Sequence, residues 1–217
     1  MSAETAANAG SNPGRGLLIT FEGGEGAGKS TQSELLALWL EAGGWRVLRL
    51  REPGGTPLGE ELRQILLHRR QTLSAETELL LFLAARAELS RSVIAPALAA
   101  GSIVICDRFT DSTLAYQGYG RGQDRDFVVA ANRWATGGLV PDLTLLLDLP
   151  VETGLARKTG ETDAFQLEAH DFHERVRAGY LDLARAEPAR WLVLDASLEP
   201  QTLHRAIAGR VEALSRR

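Results

Sequence analysis

The chain reads as an α/β protein: a five-stranded parallel sheet with helices on both faces and a short lid. Two observations carry that reading. Short apolar runs at 17–21, 45–50, 102–106, 143–147 and 191–194 alternate with segments of helical periodicity, a pattern that builds parallel strands covered by helices. The first run also breaks into Gly23-Gly24-Glu25-Gly26-Ala27-Gly28-Lys29-Ser30, which is G-x-x-x-x-G-K-S. Strand, glycine-rich loop and helix N-terminus thus follow in the order of a phosphate-binding loop, and the sheet is of the P-loop NTPase type.

The elements can be justified in order. Residues 17–21 are wholly apolar but for Thr20, as a buried strand is, and Glu22 closes them. The helix predicted at 30–42 carries Leu35, Leu36, Trp39 and Leu40 at helical spacing. The second strand, 45–50, ends in Arg51-Glu52 and leads to a helix at 58–68. A Leu- and Ala-rich helix is predicted at 75–100, suited to core or to a subunit interface. Strand 102–106 ends in Asp107-Arg108, and a helix follows at 125–136. Strand 143–147 ends in Asp148, whose following Leu149-Pro150 makes it a candidate cap for a helix at 151–158. Helices at 164–187 and 200–214 flank the last strand. The organisation is one domain over 15–217, with a lid near 155–166 and a disordered tail over 1–14.

Composition narrows the function. Twenty-four basic against 28 acidic residues leave a net charge of −4, so no overall positive field holds nucleic acid. The tail is small and polar, unlike a signal peptide, and no apolar run approaches the roughly 20 residues needed to span a bilayer. The single cysteine, Cys106, has no disulfide or metal partner, which fits a buried, reduced thiol in the cytoplasm. His170 and His173 lack further ligand spacing and read as surface histidines.

The chemistry candidates are charged residues that close apolar strands, because ligands of open parallel sheets collect at the carboxyl ends of the strands. In the loop, Gly23 through Gly28 free backbone N–H groups for a polyphosphate, Lys29 reaches its outer phosphates, and Ser30, followed by Thr31, offers a hydroxyl to Mg2+. Asp107 fits an acid that holds Mg2+ directly or through water. Asp148 ends a similar run, but only Asp107 has a fixed cation, Arg108, beside it. The D-x-x-G and N-K-x-D elements of regulatory GTPases are both missing, as are features of motor or transport ATPases, which leaves a small kinase.

Three segments resemble the thymidylate kinases: Phe21 through Gln32, Leu50-Arg51-Glu52-Pro53-Gly54-Gly55-Thr56, and Asp107 through Gly118, with Leu81-Phe82-Leu83-Ala84-Ala85-Arg86 beside them. The resemblance runs from about Gly16 to the C-terminus. It implies transfer of the γ-phosphoryl group of ATP to dTMP, giving dTDP for dTTP synthesis, in a cytoplasmic homodimer that uses Mg2+. Arg51 and Arg63 match arginines on the acceptor side, and Arg108 is implied to bind dTMP as well. Phe82 and Arg86 match a pair that reads thymine, Thr113 and Gln117 match residues at the base edge, and Tyr116 matches a ring that crowds out a 2'-hydroxyl. The catalytic set implied is Lys29, Arg108, Glu22 and Asp107, and the loop Asp195-Ala196-Ser197 resembles the border of the adenine site.

Isolated residues leave other readings open. Arg63 suits a solvated helix face equally well, and Phe82 can be core while Arg86 pairs with Glu78, eight positions earlier in the same predicted helix. The chain also departs from the family pattern in the lid, where Ala164 and Gln166 replace the expected arginine and glutamate and Gly26 does not supply an arginine in compensation. Arg157 and Lys158 are then the local cations from which one closing charge is expected. A kinase for another nucleoside monophosphate and a noncatalytic nucleotide-binding module remain as alternatives. Phe82, Arg86 and Tyr116-Gln117 together weigh against the first, and the intact Glu22, Lys29, Ser30, Asp107 and Arg108 against the second.

Overall fold

The computed structural model describes residues 16–68, 72–157, 164–165 and 168–215. The expected tail at 1–14, Lys158, Gln166 and most of the expected lid lie outside them. Five strands, β1 (Leu18–Glu22), β2 (Val47–Arg51), β3 (Ile103–Asp107), β4 (Leu143–Asp148) and β5 (Trp191–Asp195), form one sheet in the order β2-β3-β1-β4-β5. All neighbours are parallel. After β1 the chain leaves for one edge of the sheet, and after β3 it crosses to the other, so a crevice opens at the carboxyl ends of β1 and β3 where ligands bind in open sheets. The register brings Phe21 opposite Asp107 and Arg51 opposite Asp107.

Alternation along β1 feeds both faces. Ile19 and Phe21 pack with Leu36 and Leu40 of α1 (Lys29–Ala42) and with Leu203, Ile207 and Val211 of α9 (Pro200–Ser215). Leu18 points to the other face, where Leu89, Ile94 and Leu98 cover it. On the same side Leu146 packs on Phe172, Val176 and Tyr180 of α8 (His170–Ala186).

Local chemistry starts the helices around the crevice. α2 (Pro57–Leu67) has Pro57 in its first turn and Thr56 as cap, whose hydroxyl accepts from the Gly59 N–H at 2.9 Å. Ser74 caps α3 (Ala75–Leu89). The single helix expected at 75–100 is interrupted by a π turn, Ser90–Ile94, before the short α4 (Ala95–Ala99). Pro96 explains it, since its missing N–H and bulky ring disturb the turn preceding it.

Residues 110–120, for which no helix was expected, form α5 (Thr110–Thr113) and a second π segment, Leu114–Gly120. Asp124 caps α6 (Arg125–Thr136), which ends at left-handed Gly137. After α7 (Val151–Arg157), the helix expected from 164 begins instead at His170. Ala164 and Phe165 form a turn because the Ala164 N–H is drawn to the Leu67 carbonyl at the end of α2, 3.0 Å away.

Candidate active site

A cavity of about 550 Å3 opens at the carboxyl ends of β1, β2 and β3. Residues 25–31 of the glycine-rich loop with Asp107, Arg108 and Arg157 line the part expected to take the phosphoryl donor, and Arg51, Arg63, Phe82, Arg86, Thr113, Tyr116 and Gln117 the part expected to take the acceptor. The structure therefore brings nearly all the sequence-predicted site residues to one cavity. Gly23, Gly24 and Glu22 are the exceptions.

The loop turns on backbone that a side chain would obstruct. Gly26 has φ of +64°, and a Cβ there would stand 2.0 Å from the Gly154 carbonyl oxygen of α7; a Cβ on Gly154 would stand 2.3 Å from the Glu25 carbonyl. The phosphate loop and α7 are thus in direct backbone contact. That contact leaves no room for an arginine at position 26, which accounts physically for the loop's lack of one.

Lys29 starts α1 and its Nζ donates to the carbonyls of Gly23 at 3.1 Å and Gly24 at 2.8 Å. Burial and the neighbouring Arg108 cation bring its pKa down to about 8. The Ser30 hydroxyl donates to an Asp107 carboxylate oxygen at 3.0 Å, so the two residues expected at a metal stand together. A hydroxyl and a carboxylate at the cavity wall are hard oxygen donors and fit Mg2+, which takes one or two protein ligands and fills its shell with phosphate oxygens and water. No cluster of three or more His, Cys, Asp or Glu suited to a metal occurs among the described residues.

Arg108 has φ of +71°, unusual for a residue with a side chain, and its N–H is fixed by the Phe21 carbonyl. This backbone turns its guanidinium across the loop. There it donates to the Gly23 carbonyl at 3.1 Å and Glu25 at 2.8 Å, and lies 4.9 Å over the Tyr116 ring. Strained backbone held by surrounding structure is typical of functional positions.

Glu22, expected near the metal and acceptor phosphate, lies fully buried and outside the cavity lining. It accepts from the Phe109 N–H, the Ser112 hydroxyl and the Tyr180 hydroxyl at 2.8, 2.5 and 3.0 Å. Burial, with Asp111 nearby, pushes its pKa up to about 7. Its place is that of a support for the segment after Arg108.

On the acceptor side Arg86 is buried, and its partner is Glu52, 34 positions earlier, not Glu78. Nε and Nη2 both reach one Glu52 oxygen, Nη1 donates to Thr113 at 2.6 Å and Asn132 at 2.7 Å, and Nη2 also donates to the Phe109 carbonyl at 3.0 Å. All five guanidinium N–H groups are engaged. Glu78 instead accepts from Gln117 at 2.9 Å and from Arg121 at 3.0 Å. Arg63 donates to the Pro53 carbonyl, and Arg51 pairs with Glu60.

Away from the cavity two expectations are corrected. Asp148 takes two hydrogen bonds from Arg177 of α8, an ion pair in place of the expected helix cap. His173 of α8 is buried and not on the surface, because it shares the inward face of that helix with Val176 and Tyr180. Cys106 is buried in β3 as expected. The residues missed in the sequence are Phe165 and Arg121, and Glu52, expected only as a charge closing its strand, was not foreseen as the partner of Arg86. Phe165 left one signal, a lone aromatic in a polar stretch.

The comparisons with known proteins agree with this geometry. The family model described as thymidylate kinase matches residues 21–207. A thymidylate kinase of Desulfovibrio desulfuricans is 51% identical, covering 93% of this chain and 97% of its own. One from Pseudomonas syringae pv. syringae is 54% identical, covering 84% and 88%. The crystal structure of thymidylate kinase from Ehrlichia chaffeensis superimposes with a TM-score of 0.76 at 37% identity, covering 92% of this chain and 99% of that one. The cavity, the loop and these likenesses together establish that the chain belongs to the thymidylate kinase family.

Proposed function

We propose that the enzyme transfers the γ-phosphoryl group of ATP to dTMP, giving ADP and dTDP. The observation that carries the reading is the single cavity with a phosphate loop on one side and a Phe82, Arg86, Thr113, Tyr116 and Gln117 wall on the other. The acceptor phosphate is ionised at neutral pH, so the reaction calls for alignment and charge neutralisation more than for a general base. Lys29 and Arg108 border the transferring group, and Arg51 and Arg63 offer guanidinium groups to the acceptor phosphate.

Ser30 and Asp107 would hold Mg2+, whose charge further neutralises the polyphosphate. Arg86, already engaged at every N–H, reads a thymine carbonyl by exchanging a neutral partner, Thr113 or Asn132. Arg157 supplies the closing charge from α7. Its Nη1 donates to the Ala196 carbonyl at 2.9 Å while it borders the cavity, a position between the expected adenine loop and the phosphates. Turnover unchanged in Arg157→Ala would remove it from that role.

A homodimer is supported by large apolar side chains left exposed on neighbouring helices: Leu80 of α3 at 61%, and Phe127 at 57% and Trp134 at 85% on α6. Sedimentation of the purified protein tests it. No helix among the described residues is long and apolar enough to cross a membrane, and a buried free thiol suits the cytoplasm.

The test of the function is ADP release with Mg-ATP and a panel of dTMP, dUMP, the ribonucleotide TMP, dCMP, dGMP and AMP. Preference for dTMP over its ribonucleotide is expected. Preference for another acceptor would assign a different substrate, and no turnover with any would assign a noncatalytic role.

A further inference from the structure

Phe165 is 5% exposed, yet it borders the cavity directly. Its ring centroid lies 5.9 Å from that of Phe82 in a tilted arrangement and 5.6 Å from that of Tyr116, edge on at 84°. Those are the two rings assigned above to the base and the sugar. Three aromatic side chains from three separate segments therefore meet at the acceptor end of one cavity, at separations that favour mutual packing.

The ring is held in place from several sides. The Ala164 N–H is bound to the Leu67 carbonyl, and the Phe165 carbonyl accepts from the Glu168 N–H at 3.2 Å. Glu168 pairs at 2.6 Å with Arg121, whose guanidinium stands 5.8 Å over the Phe165 ring. Arg121 also pairs with Glu78, the acceptor for Gln117. One polar cluster thus fixes Phe165 and a residue expected at the base edge. A side chain serving only the core has no need of such anchoring at a cavity wall.

We infer that Phe165 is a specificity-determining residue for the acceptor: a third aromatic wall for the thymidine moiety that also backs Tyr116 against the sugar. The inference rests on the dTMP reading above. Its chemistry is apolar and aromatic, rewarding a flat base and holding the Tyr116 ring where an added 2'-hydroxyl meets it.

The test compares wild type with Phe165→Ala, Phe165→Leu and Phe165→Tyr. KM and kcat are measured for dTMP and its ribonucleotide at saturating Mg-ATP, and KM for ATP at saturating dTMP. Loss of one aromatic contact to a base is expected to raise the KM for dTMP about tenfold in Phe165→Ala. The preference for the deoxynucleotide should narrow, the KM for ATP should stay within about twofold, and Phe165→Tyr should behave as wild type. If Phe165→Ala does not fold, Phe165→Leu carries the test, since it keeps bulk without a ring. An unchanged KM for dTMP in the folded variants overturns the inference, as does an equal rise in both KM values, which would mark general disturbance. Wild-type enzyme that fails to phosphorylate dTMP overturns the functional reading itself, whereas active wild type with unaffected variants overturns this inference alone.

Discussion

The two ends of the cavity are built from different materials. The acceptor end consists of side chains locked into one another: Arg86 on Glu52, Thr113 and Asn132, and Gln117 on Glu78. The donor end consists of backbone, a loop of glycines pressed against Gly154 of α7, with Lys29 folded back on the carbonyls of Gly23 and Gly24. Side-chain networks select by shape and hydrogen bonding and are costly to break. Backbone N–H groups receive any polyphosphate and depend on the placement of what surrounds them. Damage at the acceptor end should therefore appear as lost stability and lost dTMP affinity, and damage at the donor end as lost turnover.

The sharpest break is at Glu52. It is buried with Arg86, and removing one partner of such a pair leaves an uncompensated charge that typically costs about 3–5 kcal/mol. Glu52→Ala should lower the urea midpoint accordingly and weaken dTMP binding by calorimetry while any folded fraction still binds ATP. A variant as stable as wild type would remove the distinction between a locked end and a loose one.

Next comes Lys29→Ala. Loss of a preorganised charge at the transferring group is expected to lower kcat by about 100- to 1000-fold. The unfolding midpoint and the affinity for dTMP should change little, because Lys29 makes no contact with the acceptor network. Loss of dTMP binding would show that the two ends are not separable.

Gly154→Ala tests the backbone contact. The added Cβ would stand 2.3 Å from the Glu25 carbonyl, so α7 has to move, and Arg157 moves with it. Displacement on the order of 1 Å can cost about 100-fold in turnover. The expected signature is a lower kcat with an unchanged KM for dTMP. Wild-type kcat would mean that α7 does not position a group needed for transfer.

The same contrast governs what was legible in the sequence. The strands and helices follow local apolar periodicity, and β1, α6 and α9 lie within one or two residues of their predicted bounds. The phosphate loop is contiguous, so its residues were readable one after another. The acceptor network was not, since the partner of Arg86 is 34 positions away, and the carboxylate its own helix offered, Glu78, is claimed by Arg121. The π turn at Ser90–Ile94 and the late start of α8 were also hidden. Each answers to a neighbour in space or to a proline whose effect falls upstream, and no short-range rule records the exchange of a helical turn at Ala164 for a bond to Leu67.

The smallest effect concerns pH. Lys29 has its pKa brought down to about 8 by burial and by Arg108, so the free enzyme loses that charge as pH rises through about 8, and it is fully present below. The pH dependence of kcat/KM reports groups of the free enzyme. With ATP as the varied substrate, kcat/KM should hold steady up to about pH 8 and then fall about tenfold per pH unit. With dTMP varied at saturating ATP, the bound phosphates hold the ammonium protonated, and the fall should move to higher pH. The acceptor end has no equivalent, because its cations are guanidinium groups that stay charged throughout this range. Two profiles that bend together near pH 8 would mean that Lys29 titrates with ATP already bound, and the donor end would then be less responsive to its ligand than its construction requires.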